Sequence, residues 1–157
     1  MTKVSFISLG CSKNLVDTEV MLHNLHRAGF EITFEPEEAE IVIINTCGFI
    51  ESAKRESIEN ILDAQELKKW GKCKHVIATG CLVERYCEEV MAELPELEAI
   101  VGVGSLGDIA EACQAVMRGE KYTSFGDKET SPLGGGRVLT TAPHTAYLKI
   151  GEGCDNR

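Results

Sequence analysis

The chain has 157 residues, of which 43% are apolar and 26% charged, and it carries a net charge of −9. That is enough for one ordinary soluble domain with a real core, and no apolar run approaches the ~20 residues a bilayer span requires. The acidic balance argues against a main grip on nucleic acid, where Lys and Arg must displace counterions; it suits a basic partner, or simply solubility.

The apolar part of MTKVSFISLGCSKN is too short and too soon interrupted for a signal peptide, so the expected compartment is the cytoplasm. Seven cysteines is an odd number. In a cytoplasmic chain they read as thiols or metal ligands rather than a disulfide framework.

Lys3–Leu9 is apolar, rich in β-formers, and reads as the first strand. Leu15–Ala28 has helical periodicity, with Asn14 as N-cap and Gly29 as stop. Phe30–Phe34 reads as a short second strand. Ile41–Asn45 is a nearly continuous apolar run, as expected of a strand covered on both faces. Ser52–Trp70 follows as a long helix, with Ile58, Ile61, Leu62 and Gln65 along one face and Gly71 as stop. Val76–Thr79 is a fourth strand, and Leu82–Leu94 a third helix ended by Pro95. Ala99–Val103 is a fifth strand, and Asp108–Met117 a fourth helix.

Strands alternating with helices predict an α/β fold: a three-layer, open, mainly parallel five-stranded sheet with helices on both faces, in the flavodoxin-like order 2-1-3-4-5. The Glu35–Glu40 connection is short for a parallel crossover, so a one-turn helix or a different edge pairing is expected there. From Gly126 the chain turns polar and glycine-rich, which reads as a linker over 126–143 after a domain of 1–125. AYLKI, Ala146–Ile150, reads as a new strand. The unit begun at 144–157 breaks off at Arg157, as a fragment of a longer chain would.

Three of the expected strands run into a cysteine flanked by glycine: Gly10-Cys11, Cys47-Gly48 and Gly80-Cys81. Ligands of open α/β sheets bind outside the carboxyl ends of the strands, and strands one, three and four are neighbours in the expected order. Three converging thiolates invite a soft metal, and glycine lets backbone approach a bulky ligand. Structural zinc usually takes four ligands in short CxxC pairs, and no CxxC occurs. An iron–sulfur cluster commonly takes four cysteines, so three would leave one iron open. The same positions also suit buried cysteines acting as small hydrophobes, and spacing alone leaves the two readings level.

Cys87, aligned with Val83, Val90 and Leu94, reads as core, as does Cys113 beside Ile109, Val116 and Met117. Cys73, between two lysines, reads as an incidental surface thiol. Gly102, Gly104 and Gly107 spell GxGxxG, but late in the chain and with no second half-fold behind them, so a plain glycine-rich turn is expected. His144, beside Pro143, reads as a loop residue.

The segments SLGCSKNLVDTEVM, NTCGFIESAKRES and ATGCLVERY together resemble the methylthiotransferase family of radical S-adenosylmethionine enzymes. The tail AYLKIGEGCDNR looks like the entry to that family's radical domain. The resemblance implies that Cys11, Cys47 and Cys81 are the ligands of an N-terminal [4Fe–4S] cluster. It implies that Cys154 is the first cysteine of a CxxxCxxC motif holding a second cluster, with S-adenosyl-L-methionine as the other cofactor. The open iron would carry sulfur destined for the product. One S-adenosylmethionine methylates that sulfur, and a second, split at the radical cluster, activates the carbon that receives it.

The forms GCSKN and NTCGFIESAK look like the branch that modifies an aspartate β-carbon of ribosomal protein S12. The tRNA-modifying branch usually reads Gly-Cys-Gln-Met-Asn at the first cysteine and is the alternative. A flavodoxin-like carrier with incidental cysteines is a further one, disfavoured by the single hydroxyl in GCSKN. By itself the chain is expected to hold at most the N-terminal cluster and to lack activity.

Overall fold

A computed structural model describes residues 1–127 and 135–151. Its strands are β1 (Lys3–Ser8), β2 (Glu31–Thr33), β3 (Ile41–Thr46), β4 (His75–Gly80), β5 (Ala99–Val101) and β6 (Tyr122–Ser124). The helices are α1 (Ser12–Arg27), α2 (Glu51–Trp70), α3 (Cys81–Glu93) and α4 (Ile109–Met117), with 3₁₀ turns at Pro36–Glu38 and Val103–Asp108. All strand pairs are parallel, in the order β2-β1-β3-β4-β5-β6. The expected α/β class and strand order are borne out, with a sixth strand added at the edge.

The sheet separates two cores because successive strand residues point to opposite faces. Ile41 and Ile43 pack with Met21 and Leu25 of α1 and Ile109, Ala112, Cys113 and Val116 of α4. Val42 and Ile44 pack with Ile61 and Ala64 of α2 and Leu82, Val83 and Val90 of α3. That is why IVIIN lacks a polar alternate until Asn45.

Sequence reasoning missed β6 because Tyr-Thr-Ser carries no hydrophobic pattern. Tertiary contacts make it a strand: the Gly102 N–H donates to Ser124 O, and the Ser124 hydroxyl bonds Asp108 and Ser105. The short 34–40 connection works because β2 is only three residues long. Thr33 stands level with Ser5, and Ile41 level with Val4. The chain must move sideways two strand spacings, ~10 Å, and back only one residue, well within its extended reach of roughly 23 Å. The expected one-turn helix fills it.

Several local expectations are corrected. Asn14 is not the N-cap: α1 starts earlier, Cys11 takes the cap position without a side-chain bond, and Asn14 is buried in the first turn. On α2 the buried face runs through Ser57, Ile61, Ala64 and Gln65, leaving Leu62 exposed. Cys73 is buried in the α2/α3 core rather than on the surface. Cys87 is only half-buried, because non-helical dihedrals at Tyr86 kink α3 and turn it off the Val83–Val90 face. Ala146–Ile150 forms no strand, since no described strand lies beside it.

The described part of the linker segment lies against α1. Glu19, 2% exposed, pairs with Arg137 at 3.3 Å and accepts from the Thr140 N–H at 2.8 Å. Asp17, 6% exposed, pairs with Lys149 at 2.7 Å. The Val138 N–H donates to Glu19 O. Two acids mid-helix are tolerated because each buried carboxylate is paired. Replacing Glu19 by Gln leaves Arg137 without its counter-charge. The expected result is a loss of ~2 kcal/mol in chemical denaturation, with faster tryptic cleavage after Arg137 and faster amide exchange at Thr140; unchanged cleavage and exchange would mean the segment is held otherwise.

Candidate metal centre

The parallel register brings the three cysteine-bearing turns to one edge of the sheet. Ser8 is level with Asn45, and Asn45 with Thr79, so β1, β3 and β4 end in a row. Cys11, Cys47 and Cys81 follow within three residues of those ends.

Close backbone approach holds the turns together. Gly10 has φ +87°, and a Cβ there would stand 2.8 Å from Cys47 Cβ and 2.9 Å from Cys47 Sγ. A Cβ on Gly48 would stand 2.8 Å from Leu82 Cα, at the start of α3. Gly80 has φ +96°, and a side chain there would collide with Asn45 Oδ1 and Thr46 O. Positive φ and lack of space both demand glycine at positions 10 and 80.

The thiols differ in access: Cys11 is exposed, Cys81 half-buried and Cys47 buried. Burial pushes the Cys81 thiol up, Lys13 pulls it down, and Cys47, Cys11 and Asp17 push it up further. Cys11 and Cys47 are thus both near enough to Cys81 to act on its charge. They are not gathered around a point: among the described residues, no three His, Cys, Asp or Glu side chains are grouped to hold a single ion. One tetrahedral zinc at about 2.3 Å from each ligand would need sulfurs roughly 3.8 Å apart. A four-iron cluster takes one thiolate per iron and is served by ligands spread wider. Soft thiols on glycine-lined turns of one rim fit such a group.

Residues that sequence reasoning passed over brace this rim. Ser57 of α2 accepts from the Cys47 N–H and donates to Cys47 O, both at 2.9 Å. The Thr46 hydroxyl donates to Thr79 O at 2.5 Å. Asn45 Nδ2 donates to Asn14 O and Thr18 Oγ1, and the Thr18 hydroxyl to Ser8 Oγ. The available signal was polarity out of place: Asn45 closing an apolar run, and Ser57 on the core face of a helix.

The GxGxxG turn is a plain turn here. Glu84 Oε2 already accepts the Val103 N–H at 2.8 Å, Phe125 lies against Gly102, and Gly126 lies against Gly104. His144 sits in an exposed turn. Cys154 lies outside the described residues.

Residues 3–102 match uncharacterized protein family UPF0004. The chain belongs to that family. Curated relatives in it are named ribosomal protein uS12 methylthiotransferase RimO, which bears out the resemblance to the methylthiotransferases. The protein of Pelotomaculum thermopropionicum is 47% identical over 99% of this chain and 35% of its own length. That of Lachnoclostridium phytofermentans is 49% identical over 98% of this chain and 35% of its own. The Clostridioides difficile protein is 47% identical over 99% and 35%. The chain thus spans about a third of the length of the curated relatives it matches.

Among the described residues, the remaining cysteines are Cys73 and Cys113, which are buried, and Cys87, which is half-buried. Cys113 is fully buried, as expected, and burial alone pushes its thiol from 9.0 to about 12. The unfolded chain loses that proton first, so this thiol lowers stability as pH rises from 9.0 towards about 12 and is neutral to stability below. With iodoacetamide at pH 8, Cys11 is expected to label promptly while Cys113 and Cys73 stay protected until the chain unfolds. Mass mapping of the adducts checks this, and early labelling of Cys113 would contradict its packing.

Proposed function

We propose that the chain is the N-terminal iron–sulfur part of a radical methylthiotransferase that adds a methylthio group to the β-carbon of an aspartate in ribosomal protein uS12. The observation that carries this reading is the meeting of the Cys11, Cys47 and Cys81 turns at the ends of three adjacent parallel strands. Relatives similar over nearly the whole chain are named uS12 methylthiotransferases, which supports methylthio transfer to the same protein substrate here.

Cys11, Cys47 and Cys81 would hold the cluster. Bound by three cysteines, a [4Fe–4S] group supplies one iron position open to an added sulfur ligand. The chain's own residues do the rest of the work at this rim. Gly10 and Gly80 let the turns close, Ser57 clamps the backbone on both sides of Cys47, and Lys13 favours ionised Cys81. Exposed Cys11 beside buried Cys47 gives the site an open side and a closed side. Cys154 is assigned to the second cluster, where S-adenosyl-L-methionine would bind in the full-length enzyme. The net charge of −9 suits a basic protein substrate better than a polyanion. No helix among the described residues is long and apolar enough to cross a membrane, and a ribosomal-protein substrate assigns the reaction to the cytoplasm.

Anaerobic reconstitution of the chain and of Cys11→Ala, Cys47→Ala and Cys81→Ala, read by iron and sulfide content, tests the ligand set. About four irons per chain is expected in the parent, with less than half as much in each variant. No iron in the parent, or parental iron in the variants, would return these cysteines to simple packing. With the full-length protein, a methylthio mass increment on uS12 and none on tRNA is the outcome expected for the substrate; the reverse would move the chain to the tRNA branch.

A further inference from the structure

Asn14 closes the GCSKN segment as the third residue of α1 and is 1% exposed. A buried primary amide carries two donor hydrogens and one acceptor oxygen, and each must find a partner. Here every one goes to a different turn of the cysteine rim. Nδ2 donates to Leu9 O, at the end of β1 and two residues before Cys11, at 3.0 Å. It also donates to Thr46 O, the residue before Cys47, at 3.0 Å. Oδ1 faces Cys81, whose thiol donates to it at 3.7 Å. Its own backbone carbonyl accepts from Asn45 Nδ2 at 2.8 Å, which ties it to β3 a second time.

We propose that Asn14 is the positioning residue of the three-cysteine site, one side chain that sets the β1, β3 and β4 turns at the mutual spacing a cluster needs. The inference rests on the metal reading above and adds to it a residue that is not itself a ligand. Its chemistry suits that task. Both Nδ2 bonds go to backbone carbonyl oxygens, one beside the Cys11 turn and one beside the Cys47 turn, so the amide ties those two turns directly to each other. The Oδ1 contact adds Cys81 of the β4 turn to the same side chain. No other side chain supplies this set of bonds at this size. Asp would set oxygen against the two carbonyls, and Leu would leave both unpaired.

The test uses the 157-residue chain with Asn14→Ala and the milder Asn14→Ser, whose hydroxyl still has one hydrogen to donate. Val116→Ala, in α4 and remote from the rim, serves as the control for stability loss alone. Each is melted to confirm the fold, reconstituted with iron and sulfide, and read by iron retention against a chelator and by the electron paramagnetic resonance spectrum of the reduced cluster. The expected result is folded Asn14 variants that lose iron at least tenfold faster than the parent and give a shifted spectrum. Val116→Ala should lose comparable thermal stability yet keep parental retention and spectrum. A folded Asn14→Ala with parental retention and spectrum would overturn the proposal and leave the ligand assignment standing; if Asn14→Ala does not fold, Asn14→Ser decides on the same readings. A parent without iron would overturn both.

Discussion

Parallel pairing of β1, β3 and β4 in one register is the constraint on which the rest of this protein depends. With Ser8, Asn45 and Thr79 level across the sheet, the chain must leave three adjacent strands at the same height. A parallel sheet returns each crossover through a helix, so the next strand again ends at the same rim. Turns at that rim are forced together, and small residues must line them. Gly10 against Cys47 and Gly48 against Leu82 are the consequence, and three thiols on neighbouring turns are the chemical product. Had β3 slipped by one residue, Asn45 would have faced α2 and the rim would have lost its brace.

Beneath the thiols the structure is polar where a sheet interior would ordinarily be apolar. Asn14, Asn45, Thr18, Ser8 and Thr46 are joined by hydrogen bonds between β1, β3, β4 and α1. A buried polar group without a partner costs on the order of 1–3 kcal/mol. Such a network is therefore kept only in a geometry that satisfies it, and that makes the rim rigid and specific rather than merely stable. The same logic holds on the outer side of α1, where Asp17 and Glu19 are buried because Lys149 and Arg137 cover them. One helix thus presents an apolar face to the core, an amide to the cysteine turns, and two carboxylates to the returning chain.

The cysteines illustrate how context sorts one side chain into different tasks. Cys113 sits among aliphatic residues and is held neutral by burial, the behaviour of a small hydrophobe. Cys73 is also buried, its thiol donating to His75 O. Cys87 rests half-exposed against Met91. Cys11, Cys47 and Cys81 differ from these in that each follows a strand end and shares its surroundings with the other two. Reading along the chain picked out the three cysteines that follow adjacent strand ends, because a glycine beside a cysteine at a strand end is a local signal. The same reading misplaced Cys73 and Cys87, since flanking lysines and an idealised helical period say nothing about a core that closes over a loop or a helix that kinks at Tyr86.

By itself the amino-acid order determined the alternation of strands and helices, the parallel α/β class, the strand order and the three cysteine turns. These follow from hydrophobic period, continuous apolar strands and glycine punctuation, all of which are local. Only tertiary structure decided that Tyr122–Ser124 is a strand, that Asn14 is a brace and not a cap, that Ser57 clamps Cys47, and that residues 137–149 lie on α1 through Glu19 and Asp17. Each of those depends on a partner far away in the chain. A hydrogen-bonding side chain carries no mark in sequence of which distant group will satisfy it, and burial assigns that partner only once the sheet has closed.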